Sequence, residues 1–168
     1  MRGHDKITPK GKAFFKHIEE FEKLQVRVGY QQGKASDSDS GADIVDIAVW
    51  NELGTEHSPA RPFLRQSIEN NASLIAATCK EQVVKIVKGK ITAKEALNNL
   101  GIMQKGLIQN EIKKGDFEPN APITVKGGWI TRNGQSFFIK GKKSNQPLID
   151  TSRLRQSVNY VIEEKGDD

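Results

Sequence analysis

The chain has 168 residues, 36% hydrophobic and 28% charged, with a net charge of +5 and a single cysteine. That length suits one domain with a core of its own, while the apolar share is low for a globular chain. One cysteine excludes an internal disulfide framework and fits a reducing compartment, and no apolar run approaches the roughly 18 residues that a membrane-spanning helix needs.

Residues Met1 to Lys6 lead into no apolar stretch, so no secretory leader is expected. Thr8 is placed to cap a helix with Pro9 at its first position, and Phe14, Phe15, Ile18 and Phe21 follow at helical spacing. Leu24, Val26, Val28 and Tyr30 then alternate with Gln25, Arg27 and Gly29, the pattern of a strand. Residues 31–42 are rich in Gly, Ser and Asp and carry no apolar side chain larger than alanine, which predicts a mobile loop.

Asp43 predicts the cap of a short helix through Ile44, Ile47, Ala48 and Leu53, with Gly54 as its left-handed stop. Pro62 is placed to open the next helix. Leu64, Ile68, Ala72, Ile75, Cys79, Val83 and Ile86 recur there every three or four residues up to Gly89, which predicts one long helix. Thr92-Ala93-Lys94-Glu95 is a capping box opening a further helix, with Ala96, Leu100, Met103 and Leu107 on one face and a stop at Gly115. Gly101 and Gly106 inside it each cost about 1 kcal/mol relative to alanine, the mark either of close packing or of a weak helix.

From Phe117 the texture changes to Pro, Gly and β-formers, a β-rich extension over about 117–146. Trp129-Ile130-Thr131 and Phe137-Phe138-Ile139 flank Arg132-Asn133-Gly134-Gln135, and Asn-Gly between two such runs predicts a hairpin. Asp150 or Thr151 caps one helical turn, Val158, Tyr160 and Ile162 alternate as a last strand, and the charged tail 163–168 is expected to fray. With no internal repeat and no linker, residues 1–168 read as a single domain of the α+β class. The expectation is a small antiparallel or mixed sheet packed against two long helices, with an extended hairpin and mobile loops.

Chemistry-bearing residues are scattered. Cys79 falls on the apolar face of the predicted long helix, and a nucleophile needs a base beside it. His4, His17 and His57 are isolated. Glu52, Glu56 and His57 lie close in sequence, but a metal site needs three or more converging ligands, so no metal is expected. Asp37-Ser38-Asp39-Ser40 lacks the glycine and the distal glutamate of a calcium loop. Gly127-Gly128 precedes a strand-like run, whereas a phosphate loop opens a helix. The expectation is a protein that is not an enzyme and holds no cofactor.

The charge is unevenly spread. Between Ala121 and Tyr160, Lys126, Arg132, Lys140, Lys142, Lys143, Arg153 and Arg155 stand against a single acid, Asp150, a net of +6 in that window. This is either a solvated face or a surface for an anionic partner such as DNA. Trp129, Phe137 and Phe138 among these cations can stack on bases, or can cover a core or an oligomer interface.

Two short motifs remain. The first is Asn51-Glu52-Leu53-Gly54-Thr55, followed by Pro59-Ala60-Arg61-Pro62-Phe63-Leu64-Arg65. Gly54 reverses the chain, Pro59 and Pro62 stiffen it, and Phe63 and Leu64 anchor the next helix. Arg61 offers its guanidinium to orphan helix carbonyls or to an acid such as Glu52. The second motif is Pro147-Leu148-Ile149-Asp150-Thr151-Ser152-Arg153-Leu154-Arg155, in which Pro147 restricts the approach and Leu154 docks the turn.

Together and in this order, the two motifs resemble the tail-completion, or tail-component, proteins of tailed bacteriophages and prophages. The glycine, proline, arginine, proline, phenylalanine pattern is also shared with Mu-like virion morphogenesis proteins. That family has an aromatic residue where Leu53 stands and a glycine where Ser152 stands; a serine argues against a positive backbone angle there. The Trp129–Lys140 hairpin looks like an insertion beyond the family's minimal form. What the resemblance implies is a virion structural protein of head–tail joining or tail completion, a ring subunit around the DNA channel. Its partners would be other neck or tail proteins and further copies of itself, with no membrane partner, and it would be made in the host cytoplasm. Lys126, Arg132, Lys140, Lys142 and Lys143 are then candidate contacts to DNA or to a neighbouring subunit. The alternative is a basic nucleic-acid-binding module formed by residues 121–160.

Overall fold

A computed structural model of the protein describes residues 7–36, 41–132, 134–141, 148 and 152–166. In chain order it contains α1 (Pro9–Lys23), β1 (Leu24–Gly29), α2 (Ile44–Leu53), α3 (Phe63–Glu69), α4 (Ala72–Val87) and α5 (Ala93–Lys114). Then come α6 (Pro122–Lys126), β2 (Gly127–Arg132), β3 (Gln135–Lys140), α7 (Arg153–Gln156) and β4 (Asn159–Glu164). The class is α+β, as the residue patterns predict. Among the described residues the strands form two separate two-stranded antiparallel sheets, β1–β4 and β2–β3. The chain divides into two compact units: Met1–Gly29, Ile68–Leu107 and Asn159–Asp168 form the first, Tyr30–Ser67 and Ile108–Val158 the second. Among the described residues no helix is long and apolar enough to cross a membrane.

In the first unit, Thr8 Oγ1 accepts the Gly11 amide at 3.2 Å and Pro9 opens α1, as its sequence predicts. β1 pairs with β4 from Leu24 opposite Glu164 to Gly29 opposite Asn159. The Lys165 amide donates to the Lys23 carbonyl at 2.7 Å, so pairing continues past the strand. Fraying does not begin at Glu163 as expected. Glu163 instead pairs across the sheet with Arg27 and accepts from Gln25 Nε2 at 3.2 Å, which ties the strand end down.

The single long helix expected after Pro62 is broken into α3 and α4. Asn71 adopts φ −122° and ψ 16°, outside helical geometry. Asparagine is a weak helix former because its side chain competes for backbone hydrogen bonds, and two in succession end the run. The break re-aims the side chains of α4. Gln82 rather than Val83 turns inward, where its Oε1 accepts from Asn99 Nδ2 at 3.0 Å. Ile86 is buried, as the periodicity predicts.

The capping box is realised: Thr92 Oγ1 accepts the Glu95 amide at 3.2 Å and Glu95 Oε2 accepts the Thr92 amide at 2.8 Å. The two helix glycines have different causes. A Cβ at Gly101 would run into the ring of Tyr160, whose hydroxyl donates to Asn98 Oδ1 at 2.6 Å. Gly101 is the recess that lets β4 lie against α5. Gly106 has no atom near the place a Cβ would take.

In the second unit the hairpin runs from Gly127 opposite Lys140 to Arg132 opposite Gln135, with Gly134 at φ 77°; Asn133 of the expected Asn-Gly turn lies outside the described residues. The extension is not wholly β, however. Pro122 starts the short helix α6, which the Pro and Gly texture conceals, and its residue Ile123 lies under Gly128.

The two glycines of α5 give opposite expectations. Gly101→Ala loses about 1–3 kcal/mol to overpacking against Tyr160, whereas Gly106→Ala gains up to about 1 kcal/mol from helix propensity. Thermal unfolding of the two variants checks this by the sign of the midpoint shift.

Candidate functional site

The first motif is assembled within the second unit. Asp43 starts it: its Oδ1 accepts the Val45 amide at 2.9 Å, capping α2, and its Oδ2 accepts the Gly33 amide at 2.6 Å. These two backbone bonds, Val45 first and then Gly33, hold the carboxyl below the ordinary carboxylate range. The Ile44 amide reaches back to the Ala35 carbonyl at 3.0 Å. The segment expected to be mobile is thus fastened on both sides, and residues 37–40 within it lie outside the described residues.

α2 buries Ile44 and Ala48 and ends at Gly54, whose φ is 76°. A Cβ at Gly54 would also lie 2.8 Å from the Ala60 nitrogen, so both the angle and the space require glycine. Thr55 and Ser58 close the turn by mutual backbone bonds of 2.9 and 3.3 Å. After Pro59 the chain returns to the helix it left: the Arg61 amide donates to the Asn51 carbonyl at 2.6 Å. Asn51 in turn uses its side-chain amide on the Ile47 carbonyl at 2.7 Å.

Arg61 is 8% exposed. Its Nε donates to the Glu118 carbonyl at 3.1 Å, and its Nη2 to Asn120 Oδ1 at 3.3 Å and the Pro119 carbonyl at 3.5 Å. Burial presses the pKa of the guanidinium down and the nearby Glu118 opposes this. These acceptors belong to the loop after α5, so the expected partners, a helix end or Glu52, are corrected. The loop supplies them because Pro119 cannot continue a helix and leaves its carbonyls unpaired.

Glu52 has another task. Its Oε2 accepts the Leu64 amide at 2.8 Å and its Oε1 the Arg65 amide at 3.1 Å, the orphan donors at the start of α3. Phe63, fully buried, meets Tyr30 edge-on with ring centroids 6.2 Å apart. Burial, and then the charge of Glu52, push the Tyr30 hydroxyl far above the ordinary phenol range. Pro62 precedes α3, and its carbonyl accepts the Gln66 amide at 2.8 Å.

The second motif belongs to the same unit, where α7 packs against α2 and Leu154 is 6% exposed. Gln109 Nε2 donates to the Arg155 carbonyl at 3.1 Å. Leu148 and Ser152 both have positive φ, 63° and 56°. A serine argues against this conformation, yet Ser152 adopts it at the turn into α7. Pro147, Asp150 and Thr151 lie outside the described residues, as do Lys142 and Lys143. Lys126, Arg132 and Lys140 are exposed.

Sequence reasoning misses Glu118, Pro119 and Asn120 as acceptors, and Glu52 as a cap. Neither carries a local signal: Glu52 meets its amides only once Gly54 folds the chain back, and the acceptors of Arg61 lie 57 to 59 residues further on. Cys79 and His57 are accessible but lie in different units, and among the described residues no three His, Cys, Asp or Glu side chains converge as a metal site would require. Comparison of the chain with protein-family models, with curated proteins and with solved structures finds no match in any of the three. The resemblance to tail-completion proteins rests on the two motifs themselves.

Arg61→Ala leaves three acceptors without their donor and costs about 1–3 kcal/mol, read as a lower unfolding midpoint. The depressed carboxyl of Asp43 contributes stability that is present above its unfolded pKa and lost as pH falls through the lower folded value. Asp43→Asn therefore flattens the loss of stability below about pH 4, seen by acid titration of the unfolding midpoint.

Proposed function

We propose that this protein is a structural subunit of a tailed phage or prophage particle, acting in head–tail joining or tail completion as part of a ring around the DNA channel. The observation that carries this reading is the use made of the two motifs. The polar groups of Asn51, Glu52 and Arg61 engage backbone and loop acceptors or donors of the same unit. They fasten a reversal of the chain, an architectural role. Exposed apolar residues on α2 and on the hairpin add to it, since surfaces of this kind are covered in assemblies.

A second reading, a nucleic-acid-binding module, is favoured by exposed Trp129 and Phe138 beside Lys126, Arg132 and Lys140. Salt dependence separates the two: a module binds random DNA at micromolar strength with a steep loss as salt rises, and a ring subunit binds it weakly.

The test is genetic. A phage lacking this gene is expected to accumulate filled heads and separate tails, with infectivity restored by the native chain. A triple variant, Lys126→Gln with Arg132→Gln and Lys140→Gln, folds normally, because exposed charges add little stability, and yields fewer joined particles. Full titre with the gene deleted would end the virion reading. The isolated chain is expected to be monomeric or weakly associated at tens of micromolar, measured by sedimentation, since a ring formed early would block ordered assembly.

A further inference from the structure

α2 is apolar around most of its circumference, with Ile44, Val45, Ile47, Ala48, Val49, Trp50 and Leu53 in its ten residues. A helix of that kind is ordinarily covered on both sides. Its inner face holds Ile44 and Ala48, both 3% exposed. Asp46, Val49, Trp50 and Leu53 recur at intervals of three or four and form the opposite stripe, where Trp50 is 50% and Leu53 65% exposed. The surrounding segment is acidic: from Ala42 to Ala60 stand Asp43, Asp46, Glu52 and Glu56, with no Lys or Arg, a net of −4.

The hairpin carries the complementary surface. The register puts Trp129 opposite Phe138, Thr131 opposite Ser136 and Gly127 opposite Lys140 on one face. The other face holds Gly128, under which Ile123 of α6 lies. The first face is open, with Trp129 71% and Phe138 61% exposed. From Ala121 to Gly141 there are Lys126, Arg132 and Lys140 and no acid, a net of +3.

We propose that the open face of the β2–β3 hairpin of one copy docks on the Asp46–Leu53 stripe of α2 in a second copy. Trp129 and Phe138 meet Val49, Trp50 and Leu53, while Lys140 of the same face and Lys126 at the hairpin base lie over Asp46 and Glu56; Arg132, on the other face, adds only to the positive charge around the contact. Two different patches of one unit are matched, so the contact is heterologous and repeats from copy to copy. One occupant accounts for both uncovered surfaces. Nucleic acid accounts for the hairpin alone, is repelled by the acids of α2, and finds the Trp129 and Phe138 rings inclined at 64° rather than parallel. The contact rests on the ring-subunit reading only for its closure about an axis; pairing of two copies is independent of it.

Charge reversal tests the match. One variant carries Asp46→Lys and Glu56→Lys, a second carries Lys126→Glu, Arg132→Glu and Lys140→Glu, and a third carries all five. Sedimentation of the native chain at increasing concentration is expected to show self-association with a dissociation constant between about 0.1 and 1 mM. Each of the first two variants weakens it by about tenfold or more, because like charges then face each other. Their equimolar mixture and the fivefold variant both recover it, which a misfolded variant cannot do. No native association up to about 1 mM, or reversals that leave it unchanged, or no recovery in the fivefold variant, each overturns the proposal. Required for particles yet indifferent to the reversals, the chain keeps its virion role and loses this contact. Self-associating as described yet dispensable for particles, it keeps the contact and loses the role.

Discussion

Arg61 is a charged residue only 8% exposed, and a charge drawn into a fold is destabilising unless acceptors meet it there. Arg61 finds them in the loop after α5, on Glu118, Pro119 and Asn120. Its own amide is fixed to Asn51 at the end of α2. One residue thereby joins two stretches of the second unit that are far apart in sequence. The rest of the unit is arranged to permit this: at Gly54 the chain turns back so closely that a Cβ there would lie 2.8 Å from the Ala60 nitrogen, and Phe63 is carried into the core against Tyr30.

Glu52 completes the arrangement from the other side. Its two oxygens take the Leu64 and Arg65 amides, so an acid at the end of α2 starts α3. The favourable field of a helix N-terminus for a carboxylate adds to the two bonds. Between them, Glu52 and Arg61 fasten the connection from α2 to α3 into an elbow. The outer side of α2 is left apolar, and so is the open face of the hairpin.

Signals in the sequence are legible where the physics is local. Thr8 with Pro9, Asp43, the Thr92–Glu95 box and the pairing of β2 with β3 each depend on residues close in sequence, and each forms as its spacing dictates. The stretch after Pro62 misleads because apolar periodicity continues through Asn70 and Asn71, while the helical backbone there does not. α6 is hidden by its own composition, Pro at one end and glycine at the other. Within the site, the need for Gly54 is visible in the sequence. The partners of Arg61 are not, because 57 residues separate it from Glu118 and no pattern spans that gap. Ser152 shows the converse, a left-handed residue with no glycine to announce it.

The central claim is that the Asn51, Glu52 and Arg61 contacts form one cooperative elbow. Native-state amide hydrogen exchange resolves this at the Arg61, Leu64 and Arg65 amides, which bond to Asn51 and Glu52. The account predicts that all three exchange slowly, with a common opening free energy shared with the core amides of α2. Rapid exchange at Leu64 and Arg65 while the Arg61 amide and α2 stay protected would show separate contacts in place of one elbow, and would contradict it.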